Sequence, residues 1–217
     1  MAGRDLTVRV KTAKGRKSSS TRWLQRQLND PYVAQARRDG YRSRAAYKLL
    51  ELNDRFDLLR RGMRVLDLGA APGGWTQVAA AETGGGIVAL DILEMEDVPG
   101  AAVLHGDIHD EDAPARITGA LGGKADLVLS DMAPPLSGHA GTDHLRTVAL
   151  VEAAYDLALG VLAPGGGFVA KVFQGGTEAR LLADMKRRFA SVRHAKPPAS
   201  RAESAEIYVV ATGFREG

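Results

Sequence analysis

Residues 63–75 read Met63-Arg64-Val65-Leu66-Asp67-Leu68-Gly69-Ala70-Ala71-Pro72-Gly73-Gly74-Trp75. A short apolar run, Met63–Leu68, gives way to a turn rich in glycine, and Thr76–Glu82 beyond it is helical in pattern. Strand, glycine-rich turn and helix together form the opening unit of a parallel sheet. Glycine lets such a turn bend sharply and approach a ligand closely, and in open parallel sheets ligands bind beyond the carboxyl ends of the strands.

Outward from this unit the alternation continues. Gly86–Asp91, Ala102–Leu104, Ala125–Ser130 and Gly167–Phe173 read as strands, with helical stretches such as Val148–Leu162 between most of them. The pattern predicts an α/β fold with a mostly parallel sheet and helices on both faces. Ala163-Pro164-Gly165-Gly166-Gly167 reads as a tight link from helix to strand, and Thr177–Phe189 as a further helix. Ala190–Phe214 reads as two strands joined by Lys196–Glu203. The last, Glu206–Val210, follows its predecessor closely and is expected to pair antiparallel. Toward the amino terminus, Ala45, Leu49, Leu52 and Phe56 make one apolar stripe of a helix with Lys48 on its flank. Asp30-Pro31 has the form of an N-cap followed by proline at the first helical position, and Trp23, Leu24 and Leu28 hint at a short helix before it.

The 217 residues, 45% apolar and 25% charged, suffice for one domain with a real core and exclude a fibrous or wholly disordered chain. Residues 1–20 read as a disordered basic tail and 21–217 as a single domain. No apolar run approaches the length of a membrane span, and no apolar segment follows the basic start as in a secretory signal. The absence of cysteine excludes disulfides, thiolate nucleophiles and Cys-ligated metals, and is compatible with a reducing cytoplasm. The net charge of +3 conceals an asymmetry: residues 1–50 hold 13 Lys and Arg against 3 Asp and Glu, and the remainder 16 against 23. A basic arm on an acidic body points to a polyanionic partner, or else serves solubility alone.

The glycine-rich turn lacks Gly-Lys-Ser/Thr and the G-x-G-x-x-G spacing, which argues against a triphosphate or a dinucleotide. Asp91, 24 residues beyond Asp67, ends the second strand, where a carboxylate accepts hydrogen bonds from ribose hydroxyls. Asp107 follows the third strand and could meet an adenine amino group. An adenosine ligand without pyrophosphate fits best, and S-adenosylmethionine, with its cationic sulfonium, suits an acidic pocket. The plainer alternative is that Asp91 and Asp107 only cap the turns that follow them.

Four charged residues should also meet. Asp131 ends the strand Ala125–Ser130, and Lys171 interrupts an otherwise apolar strand, where lysine is rarely buried without a partner. If the last strand is antiparallel, Glu206 starts at the same sheet edge, and Lys48 reaches it from the preceding helix. The alternative is a bare cross-strand ion pair between Lys171 and Glu206.

These blocks together resemble the FtsJ/RrmJ (RlmE) family of ribosomal RNA 2′-O-methyltransferases. The likeness spans about residues 20–212. It rests on Arg42-Ser43-Arg44-Ala45-Ala46-Tyr47-Lys48-Leu49, Asp67–Trp75, Ser130-Asp131-Met132-Ala133-Pro134, Leu162–Gly167, Lys171-Val172-Phe173-Gln174-Gly175, and Ser200-Arg201 with Glu206-Ile207-Tyr208. The resemblance implies a Rossmann-like class I methyltransferase fold with a seven-stranded sheet. It also implies a catalytic tetrad of Lys48, Asp131, Lys171 and Glu206, and cofactor contacts at Gly73, Trp75, Asp91, Asp107 and Asp131. The implied reaction is methyl transfer from S-adenosylmethionine to the ribose 2′-hydroxyl of an A-loop uridine of 23S rRNA, on the large ribosomal subunit during late assembly in the cytoplasm. Two departures stand out. The stretch between Trp75 and Asp91 is about two residues short, and Pro135 replaces a polar residue at what should be the substrate rim.

In this reading Lys171 is the candidate base, or else it stays charged and stabilises negative charge on the hydroxyl oxygen. Burial and Lys48 favour its neutral amine, Asp131 and Glu206 its ammonium, and the sequence leaves both open. No metal is needed, and His105, His109, His139, His144 and His194 show no ligand spacing, with His105 expected to be partly buried. An amino-terminal helical segment of about residues 21–60 should bind RNA. Arg37, Arg38, Arg42 and Arg44 should line the strand's path, with Lys186, Arg187, Arg188 and Arg201 extending it. A monomer is the default. Other readings are a tRNA or cap 2′-O-methyltransferase, a nucleobase N-methyltransferase, and a non-catalytic rRNA-binding assembly factor.

Overall fold

The computed structural model describes residues 21, 24, 25, 27–134, 138–173 and 179–216. The amino-terminal tail, Trp23, Pro135 and Gln174-Gly175 lie outside the described residues, though Leu24 and Leu28 are helical. The elements in chain order are α1 (Pro31–Asp39), α2 (Ala45–Phe56), β1 (Val65–Leu68), α3 (Gly74–Thr83), β2 (Ile87–Asp91), β3 (Ala101–His105), α4 (Ala113–Leu121), β4 (Ala125–Ser130), α5 (Ala140–Val161), β5 (Leu162–Phe173), α6 (Ala179–Arg188), β6 (Phe189–Ala195) and β7 (Glu206–Phe214).

The strands form one seven-stranded sheet in the order β3-β2-β1-β4-β5-β7-β6. β1 to β5 are mutually parallel; β7 runs antiparallel to β6, as the short connection between them predicts, and inserts antiparallel beside β5. Successive strand residues point to opposite faces, and both faces are covered. Leu66, Leu68, Val128, Phe168 and Val209 pack against α4, α5 and α6. Val65, Leu127, Leu129, Val169 and Val210 pack against α2 and α3. The apolar stripe of α2 is the reason that helix sits where it does: Leu49 and Leu52 are fully buried, each contributing about 1.5–3 kcal/mol. Asp30 caps α1 as expected, accepting from the Tyr32 N–H at 3.1 Å.

Two expectations need correction. Ala163–Gly167 is the irregular opening of β5 and no separate link: Ala125 pairs with Leu162 and Leu127 with Gly167, so β5 carries extra residues there, and Gly165 takes φ +83° to accommodate them. His105 is exposed, its ring nitrogen 2.9 Å from the Ile92 carbonyl oxygen.

Candidate active site

The carboxyl ends of β1 to β4 open onto a cavity of about 680 Å³, within the usual range of small-molecule sites. Asp91, Asp107 and Asp131 line it, with Leu90, Ile92, Ile108 and Met132 as apolar wall. Gly69 lies at its floor with φ +70°, and a Cβ there would fall 2.2 Å from Met132 Cγ. Only glycine permits that approach. Asp91 Oδ2 accepts from the Ala71 N–H at 2.9 Å and Oδ1 from the Leu93 N–H at 2.8 Å, so it both braces two loops and faces the cavity. Asp107 Oδ1 likewise accepts from the His109 N–H at 3.0 Å. Capping and cavity lining thus coexist in the same two carboxylates.

Gly73 and Trp75 are not among the lining residues. The Trp75 ring is buried, its Nε1 donates to the Ala45 carbonyl at 2.7 Å, and it packs on Tyr208 with centroids 5.6 Å apart. What Trp75 offers a ligand is its backbone N–H, one of those left without an intrahelical acceptor in the first turn of α3.

Beside the cavity the four charged residues converge. Lys171 Nζ donates to the Asp131 backbone carbonyl at 2.7 Å and lies 3.2 Å from Asp131 Oδ1 and 4.0 Å from Glu206 Oε1. Lys48 Nζ lies 3.3 Å from Glu206 Oε2 and 3.7 Å from Asp131 Oδ1. Both lysines are only 6% exposed. A bare Lys171–Glu206 pair is therefore not what the strands build, since the closest partner of Lys171 comes from the end of β4. The register explains the meeting. Lys171 pairs with Tyr208 and Phe173 with Glu206, so Lys171, Tyr208 and Glu206 share the sheet face that α2 covers.

Tyr208 belongs to this cluster and sequence reasoning missed it. Its hydroxyl donates to Asp131 Oδ1 at 2.5 Å, and Lys48 Nζ sits 5.6 Å from its ring centroid. Its place two residues after Glu206 was the available signal. Burial, then the Asp131 charge, drives the phenol well above its ordinary value. Burial alone would push Asp131 up, but Lys171 and Lys48, joined by the Tyr208 hydroxyl, outweigh it and hold the carboxyl below the usual range.

The expected RNA path fares unevenly. Arg37 and Arg38 are exposed at the end of α1. Arg44 Nε lies 3.1 Å from Asp30, its Nη2 donates to the Ala199 carbonyl, and Arg201 Nη2 donates to the same Asp30 carboxylate at 3.2 Å. Arg42 donates to the backbone carbonyls of Pro72, Glu96 and Asp97. Lys186, Arg187 and Arg188 end the helix that returns from β5, next to Phe189, which pairs with Phe214 at the far end of the sheet. They sit away from the tetrad, and Arg187 and Arg188 both engage Asp184.

A family model described as FtsJ-like methyltransferase matches residues 41–214. A ribosomal RNA large subunit methyltransferase E of Paramagnetospirillum magneticum is 64% identical, over 98% of this chain and 90% of its own. One of the same description from Rhodospirillum rubrum is 63% identical, over 98% and 83%. Among solved structures, a crystal structure described as that of a ribosomal RNA methyltransferase from Plasmodium falciparum superposes with a TM-score of 0.73 at 30% identity, over 80% of this chain and 98% of that one.

Proposed function

The chain belongs to the FtsJ-like methyltransferase family, and from that membership we propose that it transfers a methyl group from S-adenosylmethionine to the ribose 2′-hydroxyl of an A-loop uridine in 23S rRNA, on large ribosomal subunits late in their assembly. It is an enzyme, an rRNA methyltransferase of the large subunit. The observation that carries the catalytic reading is the convergence of Lys48, Asp131, Lys171 and Glu206 within 4.0 Å beside the cavity.

The cavity suits S-adenosylmethionine on its own chemistry. Three carboxylates favour a cationic sulfonium, and the apolar wall suits a flat base. Asp91 would take the ribose hydroxyls, Asp107 the adenine edge, and Asp131 the methionine end. Gly73 and Trp75 would contribute backbone at the turn and the helix start. When bound, the cofactor supplies an activated methyl carbon.

The protein's own task is to hold the hydroxyl in line and manage its proton. Lys171 is the group that meets the 2′-oxygen. As that oxygen bonds the methyl carbon, the carbon–sulfur bond would break and leave a neutral thioether; the hydroxyl proton would pass to Lys171, or to water while a charged Lys171 steadies the oxygen. Asp131 fixes Lys171 from two sides, through its carbonyl and its carboxylate. Lys48 and Glu206 set the position of Lys171 and of the ribose.

The test is transfer of labelled methyl from S-adenosylmethionine to large subunits lacking ribose methylation, followed by mapping of the label. Label on one A-loop uridine ribose, absent with Lys171→Ala, is expected. Label on tRNA or on a base would overturn the substrate. No label on any RNA, with tight subunit binding, would make the chain an assembly factor. A rate that rises with pH to a plateau assigns proton removal to Lys171; a flat profile assigns charge stabilisation. In this reading the protein works in the cytoplasm, as a monomer.

A further inference from the structure

Two loops form neighbouring walls of the cavity. The turn after β1 contributes Ala71, and the segment after β2 contributes Ile92 and Leu93. From within, Asp91 ties them together through the Ala71 and Leu93 N–H groups. From outside, a second group ties the same two loops. Arg42 Nη1 donates to the Pro72 carbonyl at 3.3 Å and to the Glu96 carbonyl at 2.7 Å, and Nη2 donates to the Asp97 carbonyl at 2.6 Å.

Gly73 makes room for this contact. It takes φ +108°, and a Cβ there would lie 3.0 Å from Arg42 Nη1, 3.2 Å from Arg42 Cδ and 3.2 Å from Met95 Sδ. The backbone of Arg42 is anchored as well. Its N–H donates to Gln77 Oε1 at 2.9 Å, and Gln77 Nε2 donates to the Gly40 carbonyl at 3.0 Å. A planar guanidinium presents N–H groups in a fixed fork that can serve three carbonyls at once, whereas a lysine ammonium has no such fork.

We propose that Arg42 is a positioning residue for the cofactor cavity: it straps the β1–α3 turn to the segment after β2 and holds them at the separation that S-adenosylmethionine requires. It does not act as an RNA phosphate contact. The inference rests on the cofactor reading given above. Gly73 then matters to cofactor binding chiefly because it admits the strap.

The test measures S-adenosylmethionine binding by calorimetry on the full chain without RNA, for wild type, Arg42→Ala and Arg42→Lys. Both variants should bind at least about tenfold more weakly, the loss expected when charge-assisted hydrogen bonds that preorganise a site are removed. With large subunits as substrate, kcat/KM for the cofactor should fall much further than kcat. Subunit affinity and its salt dependence should match wild type. If Arg42→Ala does not fold, Arg42→Lys decides. Wild-type cofactor affinity in Arg42→Lys overturns the strap, as does a weaker, less salt-sensitive grip on the subunit with cofactor affinity intact. Failure of the wild type itself to bind S-adenosylmethionine overturns the cofactor reading, and the strap with it.

Discussion

Asp67 sits at the end of β1, 1% exposed, with the Thr76 hydroxyl donating to its Oδ2 at 2.7 Å. Burial pushes its carboxyl from 3.8 up to about 7; the Thr76 hydroxyl opposes this, and the charges on Asp131 and Asp91 add to it. A carboxyl raised in the folded state makes folding bind a proton more tightly than the unfolded chain does. Its contribution to stability is full below pH 4 and is lost progressively as pH climbs toward 7. At 1.36 kcal/mol per unit, the loss between pH 5 and pH 8 is on the order of 2–3 kcal/mol. Asp67→Asn keeps an acceptor for Thr76 and removes the titration. Urea unfolding at pH 5, 6, 7 and 8, followed by far-UV circular dichroism, should therefore show the wild type losing that much relative to the variant. Asp131 works in the opposite sense: its carboxyl is lowered, so its contribution holds above about pH 4 and is lost as pH falls further, outside the window. Two stability curves that stay parallel from pH 5 to 8 would refute the raised carboxyl assigned to Asp67.

Three further outcomes follow from the same geometry. Tyr208→Phe removes the donor to Asp131 and should cost about 1.5–3 kcal/mol, read as a lower urea midpoint at unchanged slope. Asp30→Ala strips a buried carboxylate from Arg44 and Arg201 and removes the cap of α1. It should destabilise by about 3 kcal/mol or more, and an unaltered midpoint would show the cluster to be idle. In binding to large subunits, Arg37→Ala and Arg38→Ala should each reduce the log–log salt slope by about 0.7, while Arg201→Ala leaves it at the wild-type value.

The order of elements was legible because each carries its own period: continuous apolar runs for strands buried on both faces, a three-and-four step for α2. The antiparallel pairing of β7 with β6 was legible from the shortness of the connection between them, but Glu206 meets Lys171 only because β7 inserts between β5 and β6, which that connection does not dictate. The opening of β5 was not legible. Ala163-Pro164-Gly165-Gly166 has the composition of a turn, and only pairing with β4 stretches it into a bulged strand. Tyr208 looked like one more aromatic core residue, which by burial it is. Its hydroxyl acquires a role only because β5 sets Lys171 opposite it and β4 ends there in Asp131.

The arginines show the deeper limit. A sequence counts charges but does not reveal what they touch. Arg42 and Arg44, three and one residues before α2, looked alike as RNA contacts, yet one braces two loops of the cavity through their carbonyls and the other is clamped by Asp30. Arg201 joins that clamp from the far end of the chain. For Lys186, Arg187 and Arg188 the sequence did hold the answer. A helix that leaves the carboxyl end of a parallel strand and enters another running the same way must finish at the amino end of the sheet, so its last turn cannot border the site. A basic residue is a fair candidate for a polyanion only after its intramolecular acceptors and its end of the sheet are known. By that standard Arg37 and Arg38, exposed at the end of α1, remain candidates for an RNA strand among the described residues of the basic segment.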